Sequence, residues 1–174
     1  MSSRCTSVTQ PLASLLAAAR GRLGERHAAQ HAAQHAAQHA DGHDPKTAYG
    51  LEADLLLAHV LGVSRAWLFA NREEVVPAGQ AERFGRLIER RVAGEPIAYL
   101  VGSREFWSLP LIVTPEVLIP RPETELLVQA ALDFIPADAA WRVADLGTGS
   151  GAVALAIASE RPRCEVHATE NSPG

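Results

Sequence analysis

Cysteine is scarce in this sequence, and the positions of the cysteines argue against two common ways of stabilising a small protein. Cys5 and Cys164 are the only two in 174 residues, and neither stands in a Cys-x-x-Cys or Cys/His spacing. A zinc site or a disulfide framework needs such clusters. The sequence therefore predicts a protein of a reducing compartment that binds no metal.

An excess of basic side chains is also lacking. Sixteen Lys and Arg stand against twenty Asp and Glu, for a net charge of −4 and a pI near 6.0. Proteins that bind nucleic-acid phosphates or anionic membrane surfaces usually carry the opposite balance. The composition therefore argues against direct nucleic-acid binding and against a membrane-surface module.

Long apolar runs are absent as well. None approaches the ~18 residues of a membrane span, so we expect a cytoplasmic protein. Residues 11–19 could be read as a short signal peptide, because a basic residue precedes them and small residues follow. Helical spacing favours one face of an amphipathic helix instead. The positions at that spacing are Leu12, Leu15, Leu16, Ala19 and Leu23.

A second helix is predicted over residues 49–61. Gly62 follows it and suits the residue that ends a helix in the left-handed conformation. We expect its core-facing residues to be Leu51, Leu55, Ala58 and Leu61.

A third helix is predicted over residues 77–93, ending at Gly94, with Glu82 placed to pair with Arg86 one turn later. Its apolar stripe consists of Phe84, Leu87, Ile88 and Val92. Between the two helices Ser64 can cap a short turn. We expect the apolar residues of that turn to pack in the core: Trp67, Leu68 and Phe69.

Residues 27–40 form a low-complexity insert, the tetrapeptide HAAQ repeated three times and followed by HA. Alanine and glutamine favour helix. In a helix the repeat would align its histidines, and His pairs four residues apart can bind transition metals. No carboxylate is spaced to support such ligands. The interpretation favoured here is a solvated extension without a metal.

Two short β segments are predicted on either side of Ser108, over residues 106–107 and 109–113. Nearby prolines restrict them to edge or turn-flanked positions. A helix through Phe134 follows, and Pro122 suits its first turn.

A strand, a glycine-rich turn and a helix are predicted next, over residues 141–146, 147–151 and 152–161. Glycines let the backbone pass tightly from strand to helix and let a ligand approach main-chain N–H groups. A further strand, residues 164–169, ends at Glu170. A carboxylate there can accept hydrogen bonds from both hydroxyls of a ribose. The pattern predicts a nucleoside-containing cofactor.

The spacing of the glycines favours S-adenosylmethionine over NAD. Dinucleotide folds use GxGxxG, because a pyrophosphate sits at the N-terminus of the helix. Here the pattern is GxGxG, and Asp145 precedes it by two residues. S-adenosylmethionine has an ammonium and a sulfonium group, which an acidic strand end complements better than a pyrophosphate. An NAD-type site and a glycine turn that binds nothing remain as alternatives.

At this point the sequence resembles a known family, the HemK-type peptide chain release factor N5-glutamine methyltransferases. The resemblance covers nearly the whole chain apart from the histidine repeat. Residues 117–125 are its most specific element, and residues 51–62 resemble the family's helical N-terminal domain. The motifs that carry it are GEPIAYL at 94–100 with Gly102, EFW at 105–107, VLIPRPETE at 117–125 and DLGTGSG at 145–151.

The resemblance implies an α/β protein in three parts. Residues 1–95 would form a helical N-terminal domain that binds a release factor, with the HAAQ insert within it. Residues 96–120 would form a β-hairpin linker, and residues 121–174 the first part of a Rossmann-type methyltransferase domain. The implied reaction transfers a methyl group from S-adenosylmethionine to the glutamine amide of a release factor's Gly-Gly-Gln motif in translation termination.

The resemblance also assigns residues to the site. Glu170 would bind the ribose, where the family more often has aspartate. The cofactor turn would comprise Gly147, Thr148, Gly149, Ser150 and Gly151. The mouth of the cofactor and substrate site would include Arg121, Glu123 and Thr124.

One departure from the family is large. Its substrate-binding signature, Asn-Pro-Pro-Tyr, is missing, because the only asparagines are Asn71 and Asn171 and neither precedes proline. In the family this asparagine helps align the amide nitrogen with the methyl group. We therefore expect a C-terminally truncated, inactive chain with apolar residues uncovered on its sheet and helix. These residues are Val143, Leu146, Val153, Leu155 and Ile157.

Overall fold

The structure is a computed structural model that describes residues 10–34 and 45–171. It mixes helices with small sheets, so the predicted α/β class is confirmed at that level. The fold divides into two compact units, one ending at Val101 and one beginning at Gly102. The three-part division expected from the sequence stays a prediction.

The first unit is a helical assembly with a two-residue β bridge. The bridge joins β1 to β2 in antiparallel fashion. In chain order its elements are β1 (Gln10–Pro11), α1 (Leu12–Gln34), α2 (Pro45–Leu61), α3 (Arg65–Ala70), β2 (Val75–Val76), α4 (Ala78–Ala93) and α5 (Ile97–Val101).

Helix α1 confirms the amphipathic helix predicted near the N-terminus. Its helical spacing brings Leu12, Leu16, Ala19 and Leu23 into the core, and Leu15 packs beside them. Helix α4 likewise buries Phe84 and Ile88. These two predictions succeeded because the large apolar residues of each helix lie on one side.

The core-facing side of α2 was predicted correctly only in part. Ala58 is buried and Leu61 packs against the core, as expected, whereas Leu51 and Leu55 are 41% and 36% exposed. Helix α2 is apolar over most of its circumference, so the spacing alone cannot choose a face. Contact with α1 and α4 makes the choice. The buried residues are Tyr49, Ala53, Leu56, Leu57, Ala58 and Val60.

The short helix α3 is capped as predicted, but its aromatic residues were placed wrongly. The Trp67 backbone N–H donates to Ser64 Oγ at 3.1 Å. Of the three apolar residues expected in the core, only Leu68 is buried, while Trp67 and Phe69 are 36% and 50% exposed. A six-residue helix has fewer than two turns, so one side meets the core and the others face outward.

The second unit contains a hairpin, two helices and a pair of parallel strands. A 3₁₀ turn (Pro122–Thr124) precedes its first helix, as Pro122 predicted. Its other elements are β3 (Ser103–Phe106), β4 (Leu109–Ile112), α6 (Glu125–Phe134), β5 (Arg142–Leu146), α7 (Ala152–Glu160) and β6 (Glu165–Thr169).

The hairpin turns at Trp107 and Ser108, both with positive φ (51° and 60°). Trp107 therefore belongs to the turn and not to a strand, which corrects the sequence prediction. Two consecutive residues with positive φ are typical of the two-residue turns that match the twist of antiparallel strands. The strands pair from Ser103 with Ile112 to Phe106 with Leu109.

Strands β5 and β6 are parallel, paired from Arg142 with Glu165 to Leu146 with Thr169. Helix α7 connects them and packs on α6 and both strands. Leu146 and Leu155 are exposed, as expected. Ile157 was expected to be uncovered and is buried, because it packs in a small core with Ile135 and Ala139.

The HAAQ insert is described only in part. The backbone of α1 is helical through Gln34, and residues 35–40 lie outside the described residues, as does Cys5. Cys164 has a free thiol whose sulfur contacts the Ala139 carbonyl at 3.4 Å. Among the described helices, none combines the length and the apolar character that a membrane crossing requires.

Candidate functional site: the glycine turn between β5 and α7

The turn between β5 and α7 depends on three glycines. Gly147, Gly149 and Gly151 have φ of 76°, 55° and 77°, a region that side chains with a Cβ rarely adopt. A Cβ added at Gly147 or Gly149 would meet no atom within 4 Å, so the space beside them is open. A ligand could approach the backbone there.

Hydrogen bonds to the neighbouring strand fix the start of the turn. The N–H groups of Gly147 and Thr148 both donate to the Thr169 carbonyl, at 2.9 and 3.0 Å. The Thr148 hydroxyl donates to Asp145 Oδ2 at 2.7 Å. The turn is therefore held at the carboxyl ends of both parallel strands, where ligands bind in open α/β sheets.

Glu170 lies at the same edge, where β5 and β6 end. Its Oε2 accepts a hydrogen bond from the Gly149 N–H at 2.8 Å, and its Oε1 accepts one from the Asn171 N–H at 2.7 Å. Two residues predicted from separate motifs, the middle glycine of the turn and the acid after β6, are thus in direct contact. The contact lies at one end of the β5 and β6 pair.

The charge of this edge suits a cation better than a phosphate. Asp145 and Glu170 both point their carboxylates into the turn, since each accepts from one of its residues. Two negative charges beside the turn would repel a pyrophosphate and attract an ammonium or sulfonium group. The residues present therefore fit the methyl donor predicted from the glycine spacing.

The residues expected at the site's mouth belong to the segment before α6. Arg121 precedes the 3₁₀ turn, which contains Glu123 and Thr124. In the part of the chain that the structure describes, no hydrogen bond or ion pair joins these three residues to the glycine turn. The structure thus brings Glu170 to the turn and leaves the mouth residues as predictions.

One set of contacts near α6 and α7 was missed from the sequence. The Trp107 backbone N–H donates to Glu125 Oε1 at 3.0 Å, and its indole Nε1 donates to Glu160 Oε1 at 2.9 Å. The tip of the hairpin is therefore tied to both helices. Local spacing cannot reveal contacts between residues this far apart, although the EFW motif marked Trp107.

Comparison with known families identifies the first unit. Residues 43–102 match the model of the PrmC N-terminal domain. The matched range contains every described element from α2 to α5.

The curated relatives extend the match into the second unit. The chain is 57% identical over 122 residues to the release factor glutamine methyltransferase of Coxiella burnetii, covering 70% of this chain and 44% of that protein. It is 51% identical over 122 residues to the one of Escherichia coli K12, with the same coverage. The relative in Aliivibrio fischeri is 54% identical over 116 residues, covering 67% of this chain and 40% of that protein.

The chain is thus similar to release factor glutamine methyltransferases over about two thirds of its own length, and it matches less than half the length of these curated relatives. These matches confirm the resemblance that the sequence motifs indicated.

Proposed function

We propose that this chain forms the release-factor-binding and cofactor-binding part of an enzyme that methylates peptide chain release factors, using S-adenosylmethionine bound at the glycine turn. The target would be the side-chain amide of the glutamine in the Gly-Gly-Gln motif, in the cytoplasm, during translation termination. The names of the relatives, release factor glutamine methyltransferase, support the substrate class. When bound, S-adenosylmethionine would supply an activated methyl group on its sulfonium.

The observation that carries the proposal is the contact between Glu170 and the Gly149 N–H, 2.8 Å long, at the ends of two parallel strands. It brings a carboxylate for the ribose hydroxyls beside a glycine backbone that a ligand can approach. The binding turn would comprise Gly147, Thr148, Gly149, Ser150 and Gly151, and β5, α7 and β6 would be the start of a Rossmann-type domain.

The remaining residues of the site have weaker support. Arg121, Glu123 and Thr124 would lie at the mouth where cofactor and substrate meet. Their support is the resemblance to the family and their position in VLIPRPETE, before α6.

The two units would have separate binding roles. The helical unit would bind the release factor and the second unit the methyl donor. The 174 residues contain no asparagine followed by proline. We therefore expect this chain by itself to bind cofactor and release factor without measurable methyl transfer.

Cofactor binding is tested by isothermal titration calorimetry of the chain with S-adenosylmethionine, S-adenosylhomocysteine and NAD. We expect both adenosyl ligands to bind and NAD not to. Replacing Glu170 by Gln should weaken binding about ten-fold, because hydrogen bonds to a charged acceptor are the stronger kind. Glu165→Gln, at the exposed start of β6, the strand that Glu170 follows, is the control and should leave binding unchanged.

The outcomes separate the alternatives. Binding of NAD in place of the adenosyl ligands would support an NAD-type fragment. Capture of a release factor by a chain that binds no nucleoside ligand would support a binding module without catalysis. Methyl transfer to a release factor by this chain would contradict the expected inactivity.

A further inference from the structure

A nearly buried carboxylate lies in the first unit, away from the glycine turn. Asp54 on α2 is only 3% exposed. Its Oδ1 lies 2.7 Å from Arg20 Nη2, and its Oδ2 lies 3.9 Å from Arg65 Nη2. Helices α1 and α3 thus each direct an arginine at one acid on α2.

The region of the first unit that contains Asp54 has more positive charge than this one carboxylate neutralises. Arg72 stacks over the ring of Phe69, with its guanidinium carbon 5.3 Å from the ring centre. Among the described residues, Arg72 has no ion pair, although Glu73 and Glu74 follow it in the chain. Arg20 Nε is buried without a hydrogen-bond partner. Arg20 and Arg72 thus bring two guanidinium groups to the pocket that Asp54 also lines.

These groups line a pocket whose remaining walls are apolar. Its lining includes Leu16, Arg20, Asp54, Leu68, Phe69 and Arg72. Beside it, Phe69 and Trp67 are 50% and 36% exposed. Exposed aromatic rings next to arginines are the residue types that dominate protein interfaces.

We propose that this pocket binds an acidic side chain of a partner protein, together with an apolar residue next to that side chain. A carboxylate placed between Arg20 and Arg72 would offset the positive charge of these two guanidinium groups and accept hydrogen bonds from Arg72, which has no ion pair among the described residues. The apolar neighbour would cover Leu68 and the Phe69 ring. We name this site, defined by the six lining residues above, the arginine pocket.

The overall charge of the chain favours a protein partner over a nucleic acid. A net charge of −4 repels a long polyanion, while a single carboxylate feels chiefly the nearby arginines because salt screens distant charges. Leu16, Leu68 and Phe69 also line the pocket, and these apolar groups suit a side chain more than a phosphate backbone.

The test uses the full chain, labelled with ¹⁵N, and two capped tripeptides, acetyl-Leu-Glu-Phe-amide and acetyl-Leu-Gln-Phe-amide. NMR titration follows the backbone amides of Phe69 and Arg72 and the indole of Trp67. We expect the affinity for the Glu peptide to be at least about five-fold higher than for the Gln peptide, since a charged acceptor forms the stronger hydrogen bonds.

Variants assign the preference to the arginine pocket. Arg72→Leu should remove the preference for the Glu peptide, and Arg72→Lys should retain part of it because the charge remains. Arg83→Leu removes the same charge from an exposed position on α4 and should leave the preference unchanged. Circular dichroism of each variant checks that it folds.

Three results would overturn the proposal. The first is equal binding of the two peptides to the unaltered chain. The second is a preference that persists in Arg72→Leu or disappears equally in Arg83→Leu. The third is inorganic phosphate shifting the same signals at lower concentration than the Glu peptide, which would assign the site to phosphate groups instead.

Discussion

Asp54 shows how much one residue can contribute to the helical unit. It pairs with Arg20 and Arg65, on two different helices, from a position that water barely reaches. Asp54→Asn should lower the free energy of unfolding by about 2 kcal/mol, because two arginines lose a buried charged partner. The loss is below that of a fully buried pair since the Arg20 side chain is 38% exposed.

Urea unfolding followed by circular dichroism measures this effect. Glu82→Gln is the matched control, because the Glu82 and Arg86 pair on α4 is exposed and worth well under 1 kcal/mol. Equal destabilisation by both variants would show that the burial of Asp54 adds nothing.

Other residues illustrate what the sequence can predict about single positions. Gly94 was assigned from its position after α4, and it has the left-handed φ of 119°. Glu170 was assigned as a site residue, and it contacts the turn it was expected to serve. Arg72 was not predicted as a site residue, because its role in the arginine pocket depends on Arg20 and Asp54, which are distant in the chain.

At the scale of elements, α4 offers a comparison of two glycines. Gly85 lies inside the helix with open space beside it, while a Cβ at Gly94 would sit 3.3 Å from Arg26 Nη2. Gly85→Ala should stabilise the chain by about 0.5–1 kcal/mol, and Gly94→Ala should destabilise it by about 1 kcal/mol or more. Thermal and urea unfolding of both variants measure the difference, and effects of the same sign would contradict it.

The end of α4 also contains an ion pair that depends on pH. Hydrogen bonding to the Arg90 guanidinium lowers the pKa of the Glu95 carboxyl below its ordinary value. The pair's contribution to stability is therefore complete above the ordinary pKa of glutamate and is lost as the pH falls through the lowered pKa. The Arg90 side chain is 52% exposed and the Glu95 side chain 28%, so solvent screens the pair and its contribution is small and weakens in salt.

On the scale of the whole molecule, the second unit exposes much apolar surface. Leu126 and Leu127 on α6 are 74% and 58% exposed, and Leu146 on β5 is 76% exposed. Patches of this kind promote association. Replacing Leu126 and Leu127 together by Gln should reduce concentration-dependent association while keeping the helix, as measured by light scattering and circular dichroism. Ala130→Gln, also exposed on α6, is the control and should change nothing.

The sequence by itself indicated the similarity to release factor glutamine methyltransferases, the helices with one-sided apolar patterns and the glycine turn, because each depends on residues close together in the chain. Tertiary structure decided which side of α2 is buried, where Trp67 and Phe69 lie, and how Trp107 ties the hairpin to two helices. It also brought Glu170 onto Gly149, and Arg20 and Arg65 onto Asp54. These contacts depend on packing between distant segments, and a local pattern contains no information about which segments meet.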